Sequence, residues 1–327
     1  MHVTTRNLRE DDLEEADTIL RLSFGTFMGL DDPMSFFGEA DYVRSRYATD
    51  PNSAFAIEVD GNLAGSNFVT NWGSVGFFGP LSIHPNYWNK GIAKHLIIPV
   101  LERLSKLEIQ YAGLFTFAQS PKHIYLYQKY DFWPRFLTSI MTKIITDKKN
   151  NEKRLELSQK HESQHEVRFS EIQEDVKSLI LQDCKYLTNG IFPGLDLQKE
   201  ILAVDCQKLG DTILLYDPTG SKLIGIAICH YGKGTEAGSN VCYIKFAAIS
   251  TNSNSHSNFI RMLNSVELMA LEKGIFKITA GSNMERHLAY KAMINYGFKS
   301  EFQGVSMHKG NKQGYNIPSA YIIDDWR

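Results

Sequence analysis

One order of secondary-structure patterns occurs twice along this chain of 327 residues. In the first half, residues 3–8 read as a strand, a helix starts near Asp11 behind acidic residues, and a second helix covers 36–48. Strands follow at 54–59 and 63–70, joined by Asp60-Gly61, a pair suited to a two-residue hairpin turn. A strand at 75–83, a helix at 90–104, a strand at 112–117, a helix at 122–130 and closing strands complete the set. The second half repeats it: a strand at 167–170, helices from 172 and at 197–208, strands at 212–216, 222–230 and 241–249, a helix at 259–271, a strand at 277–280 and a helix at 286–295. Local sequences echo too: NLAGSNF against KLIGIAI, GFFGPLSI against YIKFAAI, YDF against YGF. Shared order with local similarity predicts an internal duplication at domain scale. Each copy reads as an α/β (α+β) unit, a central sheet flanked by helices.

Between the copies lies DKKNNEKRLELSQKHESQHE, residues 147–166, too polar to order itself around a core. The expected organisation is therefore a domain at 1–146, a polar linker at 147–166 and a second domain at 167–327. Hydrophobic residues make up 43% and charged residues 22%, the balance of a globular protein. A net charge of −2, with no basic run interleaved with aromatics, gives no reason to expect nucleic acid as a partner. Asp11, Asp12, Glu14 and Glu15 come too early for a signal peptide, and no stretch nears the roughly 18 apolar residues of a membrane span. A cytoplasmic protein without a membrane partner is expected. Cys184, Cys206, Cys229 and Cys242 are widely spaced, which fits buried, reduced thiols better than disulfides or a metal site.

The chemically informative stretch is VGFFGPLSIHPNYWNKGIAKHLIIPVL, residues 75–101. An apolar strand ends at Ile83, a turn with Pro85 follows, and a helix opens with Gly91 and the small Ala93 in its first positions. Main-chain N–H groups at a helix start are unpaired, and the helix dipole adds positive charge. Small residues let a phosphate approach that backbone, with Lys90 and Lys94 adding charge. The plainer alternative is a strand–turn–helix whose glycine serves packing.

The segment resembles motif A of the GCN5-related N-acetyltransferases, the GNAT family: a strand, a turn, then Q/R-x-x-G-x-G/A. The matching residues are Trp88, Asn89, Lys90, Gly91, Ile92 and Ala93, with Trp88 in place of the family's Gln or Arg. Downstream, LYQKYDF at 126–132 is similar to the family's Y-x-K-x-G-F, with Asp131 in place of Gly. The resemblance covers residues 3–145 and extends weakly over 167–308, as in a tandem GNAT protein. It implies two domains, each with a mixed, mainly antiparallel sheet flanked by helices. It implies acetyl-CoA or another acyl-CoA as co-substrate, no metal, and an amine acceptor that is a small molecule or a protein. Pantetheine would lie along Leu81, Ser82 and Ile83 like an added strand, and the pyrophosphate would sit on the turn from Asn89 to Lys94. A main-chain N–H near Ile83 would hold the oxyanion. Tyr127 falls on the tyrosine that faces the coenzyme A sulfur and would return a proton to the thiolate. Ser120 falls near an asparagine that contacts coenzyme A. The plain reading of Tyr127 is a core tyrosine.

In the second half, YIKFAAIS leads into TNSNSHSN, without glycine between Ile244 and Leu271, so standard coenzyme A binding is expected to be lost there. That half would shape the acceptor pocket or hold a homodimer. The segment 25–41, GTFMGLDDPMSFFGEAD, is expected to cover the acceptor: Phe27, Met28, Met34, Phe36 and Phe37 offer an apolar wall, and Asp31, Asp32 and Glu39 offer negative charge. Three motifs are set aside. HESQH at 161–165 has the zinc-peptidase pattern but not its apolar context. GKGTEAG at 232–238 leads into a strand and reads as a hairpin loop. His84 reads as a turn residue. The expected function is acyl-CoA-dependent N-acyl transfer to a primary amine. The rivals are an acyl-CoA-binding sensor without turnover and a partner-binding protein built on the duplicated fold.

Overall fold

The structure is a computed structural model that describes residues 1–146 and 165–327. Most of the polar linker, and with it all of HESQH except His165, lies outside the described residues. The first half runs β1 (Val3–Asn7), α1 (Leu13–Met28), α2 (Val43–Thr49), β2 (Ala54–Val59), β3 (Asn62–Trp72), β4 (Val75–Phe78), β5 (Ser82–Ile83), α3 (Ala93–Lys106), β6 (Tyr111–Phe117), α4 (Pro121–Gln128) and β7 (Phe132–Ile144). The second runs β8 (Glu166–Arg168), α5 (Glu174–Ile191), α6 (Gln198–Gln207), β9 (Gly210–Tyr216), β10 (Leu223–Gly232), β11 (Gly238–Ile249), α7 (Ser255–Glu272), β12 (Lys277–Asn283), α8 (His287–Asn295), β13 (Lys299–Lys309) and β14 (Ile322–Ile323).

The two halves share one sheet. Its order is β1-β2-β3-β4-β6-β13-β7-β12-β11-β10-β9-β8. The late strand β13 enters the first half between β6 and β7, pairing His308 with Gly113 and Lys309 with Phe132. In return, β7 pairs along β12, from Lys277↔Ile144 to Asn283↔Thr138. Each half thus holds a strand between strands of the other. The pairings are antiparallel except β4–β6 and β11–β12, which are parallel. Central strands such as β10, LIGIAICHYG, are apolar on both faces because helices cover both. Leu96, Ile97 and Val100 of α3 pack with Phe78, Leu114 and Met307 on one face of the first half, while Ile19 and Leu20 of α1 pack with Val43 and Phe68 on the other.

Several local expectations shift. The helix expected at 36–48 is confined to Val43–Thr49, because Phe37 and Gly38 take left-handed φ values and Asp41 caps the later start by accepting from Arg44 N at 2.8 Å. Asp60 and Gly61 both have positive φ, as the hairpin turn requires. GKGTEAG joins the antiparallel β10 and β11. Cys184, Cys229 and Cys242 are buried free thiols, but Cys206 is exposed, since it lies on the outer side of α6. No helix among the described residues is long and apolar enough to cross a membrane.

Candidate active site

The strand expected at 75–83 divides. β4 pairs with β3 on one side and with β6 on the other, as far as Phe78↔Leu114. At Gly79-Pro80, a cis peptide, the chain steps away. Beyond it β5 stays on β3 through Ser66↔Ser82 and Gly65↔Ile83, while β6 continues to Phe117, paired on its far side to β13. A wedge therefore opens between β5 and β6. Pro80 suits the parting because it has no N–H to offer a ladder.

Orientation inside the wedge follows from the ladder. His84 N donates to Ala64 O at 2.9 Å, so by alternation the main-chain groups of Ile83 face away from β3. The indole of Trp88 donates to Ile83 O at 2.7 Å, consistent with that direction. Ile83 N–H points the same way, and Leu81, two residues earlier, shares its orientation. Ser82 instead faces β3, with its hydroxyl 3.2 Å from that of Ser66. The departure of Trp88 from the family residue thus has a local role: it anchors the turn to the wedge edge.

At the wide end, α3 begins at Ala93 rather than at Lys90, because Asn89 and Gly91 have φ of 62° and 71°. The start carries no side-chain cap. A Cβ at Gly91 would meet nothing within 4 Å, so the glycine serves backbone conformation and the space above it is open. Lys90 and Lys94 are exposed, and the Lys90 ammonium lies 5.3 Å from the centre of the Tyr87 ring. Ile92 anchors the turn in the core at 2% exposure, which leaves only its main chain to the surface. Lys122 Nζ donates to Asn89 Oδ1 at 2.7 Å and ties the start of α4 to this turn.

Tyr127 of α4 is buried with its ring edge-on to Phe78, 5.8 Å between centres, beside the last paired residue of β4. Burial pushes its phenol well above the ordinary value. Among the described residues its hydroxyl has no hydrogen-bond partner. Ser120 caps α4, its hydroxyl accepting from His123 N at 3.4 Å. His84 caps the turn at Pro85 by accepting from Asn86 N at 3.2 Å, as a turn residue would.

Sequence reasoning missed two residues. His123 stands four before Tyr127, on the same face of α4. Its half-buried ring lies 4.8 Å from Phe27 and 6.0 Å from Phe117, and burial with the Lys122 ammonium nearby lowers its pKa, favouring neutral imidazole. The i,i+4 spacing in KHIYLY was available as a signal. Arg46 is the other: buried on α2, it donates to Gly79 O at the vertex of the wedge and pairs with Glu236 of the second half. No local pattern announces it.

The segment expected over the acceptor meets the distal end of β6. Phe24, Phe36 and Phe37 cluster, and Phe24 and Phe27 reach Phe117, which also contacts Phe302 of β13. Met28 and Met34 are exposed instead. Asp31 is exposed, and Asp32 accepts from Met34 N at 3.0 Å in a local turn. In the second half, the loop that replaces the glycine turn satisfies itself: Ser255 Oγ accepts from Asn252 N at 2.8 Å and donates to Ser250 O at 3.0 Å.

Residues 20–132 match the sequence model of the acetyltransferase (GNAT) family. Comparison with curated proteins finds no match. Among solved structures, the chain is similar to a proposed acetyltransferase from Pyrococcus horikoshii, with 13% identity, a TM-score of 0.64, and coverage of 98% of this chain and 93% of that one. It is similar to a GCN5-related N-acetyltransferase from Sphaerobacter thermophilus at 10% identity and TM-score 0.56, covering 94% and 95%. A tandem GNAT protein from the clavulanic acid biosynthesis pathway also matches, at 10% identity and TM-score 0.54, over 94% of this chain and 98% of that one. At these identities the likeness is one of fold.

Proposed function

Because residues 20–132 of this chain match the model of the acetyltransferase (GNAT) family and the whole chain has the fold of a tandem GNAT protein, we propose that it transfers an acyl group, most simply acetyl, from acyl-CoA to a primary amine by direct attack in a ternary complex. The observation that carries this reading is the wedge between β5 and β6, which leads to an uncapped helix start with open space over Gly91. The residues present fit such a co-substrate. Leu81 and Ile83 offer main-chain groups to a pantetheine arm, as in strand addition. The N–H groups from Asn89 to Lys94, with Gly91 and Ala93 leaving room, receive the pyrophosphate. Ser120 acts through its cap, by fixing the start of α4.

In the reaction the amine nitrogen forms a bond to the acyl carbon, and the carbon–sulfur bond breaks. The N–H of Ile83 holds the oxyanion. His123, kept neutral, takes the proton from the attacking amine. Tyr127, protonated at neutral pH as any tyrosine is, delivers a proton to the departing thiolate, and the proton held on His123 restores it. The half-exposed rings of Phe24, Phe27, Phe117 and Phe302 favour an acceptor with an apolar body, and Asp31 and Asp32 favour a cationic head. Domains at 1–146 and 167–327 and a cytoplasmic setting belong to the same proposal.

The test is a screen of amine acceptors with acetyl-CoA, read by release of free thiol. Binding without turnover across a broad screen would favour the sensor, and absence of binding would favour a partner-binding protein. Once an acceptor is known, Asp31→Asn with Asp32→Asn should raise its KM. An unchanged KM, with acidic amines as the best acceptors, would remove this segment from recognition.

A further inference from the structure

The second half contains a counterpart of the wedge, and it is filled. β11 and β12 run in parallel as far as Ile244↔Ala280, just as β4 and β6 do as far as Phe78↔Leu114. Counting three to five residues on from each last pair sets Ala247–Ile249 against Leu81–Ile83, in agreement with the echo of YIKFAAI and GFFGPLSI. On that edge lies the chain's own C-terminal segment. Ile322 and Ile323 of β14 pair with Ala248 and Ala247, and Ile249 N donates to Tyr321 O at 3.1 Å.

The segment follows the course of the second cleft along its length. Leu288 N, in the first turn of α8, donates to Pro318 O at 3.0 Å. The Tyr321 hydroxyl meets His256 Nδ1 at 3.1 Å, and its ring lies 5.2 Å from Phe259, both in the opening turns of α7. From the β12 side, buried Arg286 donates to Ile322 O at 3.1 Å and to Asp324 O at 3.2 Å. Gly281 leaves room for Asp325, whose side chain a Cβ there would strike. Ile322 and Ile323 are 1% and 0% exposed.

Resting on the acyl-CoA reading of the first half, we propose that residues 320–323 are a built-in substitute for a pantetheine arm: they occupy the second cleft permanently, so that the chain takes up one acyl-CoA, in the first half only. A strand and a pantetheine arm would compete for the same main-chain edge. The strand is covalently attached and adds two buried isoleucines, so a soluble co-substrate does not displace it.

The test uses the full chain: NMR-detected hydrogen exchange and titration calorimetry with coenzyme A. In the free protein, the Ala247 and Ile249 amides should exchange about 100-fold or more slowly than those of Leu81 and Ile83, which face the open wedge. Coenzyme A should bind at one per chain and slow Leu81 and Ile83 without altering Ala247 or Ile249. Two coenzyme A per chain, or fast exchange at Ala247 and Ile249 in the free protein, would overturn the proposal. Failure to bind any coenzyme A would overturn the acyl-CoA reading, while slow exchange at Ala247 and Ile249 would still support the strand as the permanent occupant of the second cleft.

Discussion

The guanidinium of Arg46 donates a hydrogen bond of 2.6 Å to the carbonyl oxygen of Gly79, where β4 leaves β6 and the wedge begins. The same group donates to Glu236 Oε1 at 2.8 Å and to the main-chain oxygen of Arg327, both from the second half. Glu236 also receives Lys245 at 3.0 Å, and Lys245 reaches Glu200 at 2.8 Å. Burial alone would raise the Glu236 pKa, but Arg46 and Lys245 hold it well below the usual carboxylate range. A buried charge chain from the second half therefore ends on the vertex of the first half's wedge.

Arg46 is accordingly a positioning residue. Arg46→Lys keeps the charge but cannot reach Gly79 O, Glu236 and Arg327 O together, since an ammonium lacks the planar fork. We expect a raised KM for acetyl-CoA with a smaller change in kcat, and a modest fall in stability. Arg46→Ala should lose about 3–5 kcal/mol, because Glu236 then keeps Lys245 as its one ion-pair partner among the described residues. Denaturant unfolding beside steady-state kinetics separates the effects. A Lys variant that loses stability while keeping its KM would limit Arg46 to holding the two halves together.

Gly91 allows binding to be separated from folding. Its φ of 71° suits Asn better than other non-glycine residues, and a side chain there projects into open space. Gly91→Asn and Gly91→Glu should each cost about 1 kcal/mol of stability. The Glu variant should in addition abolish coenzyme A binding, by placing bulk and negative charge at the pyrophosphate. Calorimetry on the pair checks this, and equal affinities would move the phosphate site elsewhere.

Tyr127→Phe should leave the fold intact, since the hydroxyl has no hydrogen-bond partner among the described residues. Turnover should fall by about 10²–10⁴ with acetyl-CoA affinity unchanged. His123→Gln should flatten the acidic limb of the kcat/KM profile, because the group that must be neutral is gone. Full activity in both variants would return α4 to a packing role.

The fold was legible because its signals are local. The hairpin at Asp60-Gly61 and the strand–turn–helix before Gly91 depend on residues near one another in sequence, as does the repeated order of elements. The exchange of β7 and β13 was not legible, since a strand's alternation does not say which neighbour it pairs with. The site divides in the same way. Gly91 and Tyr127 sit in patterned segments, whereas Arg46 acquires its role from Gly79, Glu236 and Arg327, which lie 33, 190 and 281 residues away. The echo of YIKFAAI in the second half marked the duplication, but nothing in YIID at 321–324 states that this strand pairs along its edge.

The buried histidines set a pH limit on the shared sheet. His230 is fully buried beside Lys245, and desolvation, then that ammonium, lowers its pKa to about 4. Both ring nitrogens lack hydrogen-bond partners among the described residues. His308, on the exchanged strand β13, is likewise lowered to about 4 by burial, although its bond to Lys312 O at 2.7 Å opposes the shift. In the unfolded chain both titrate near about 6.5. Between these values the unfolded state binds more protons, so stability is complete above about pH 6.5 and falls as the pH drops toward 4. Each histidine should contribute a slope of about 1.4 kcal/mol per pH unit in the middle of that window. Urea unfolding at pH 7.5, 6.0 and 5.0 should show this loss before the carboxylates titrate. His308→Gln should remove the slope that His308 contributes. If its stability falls with pH as steeply as the wild type's, His308 is already protonated in the folded sheet, and the acid sensitivity arises elsewhere.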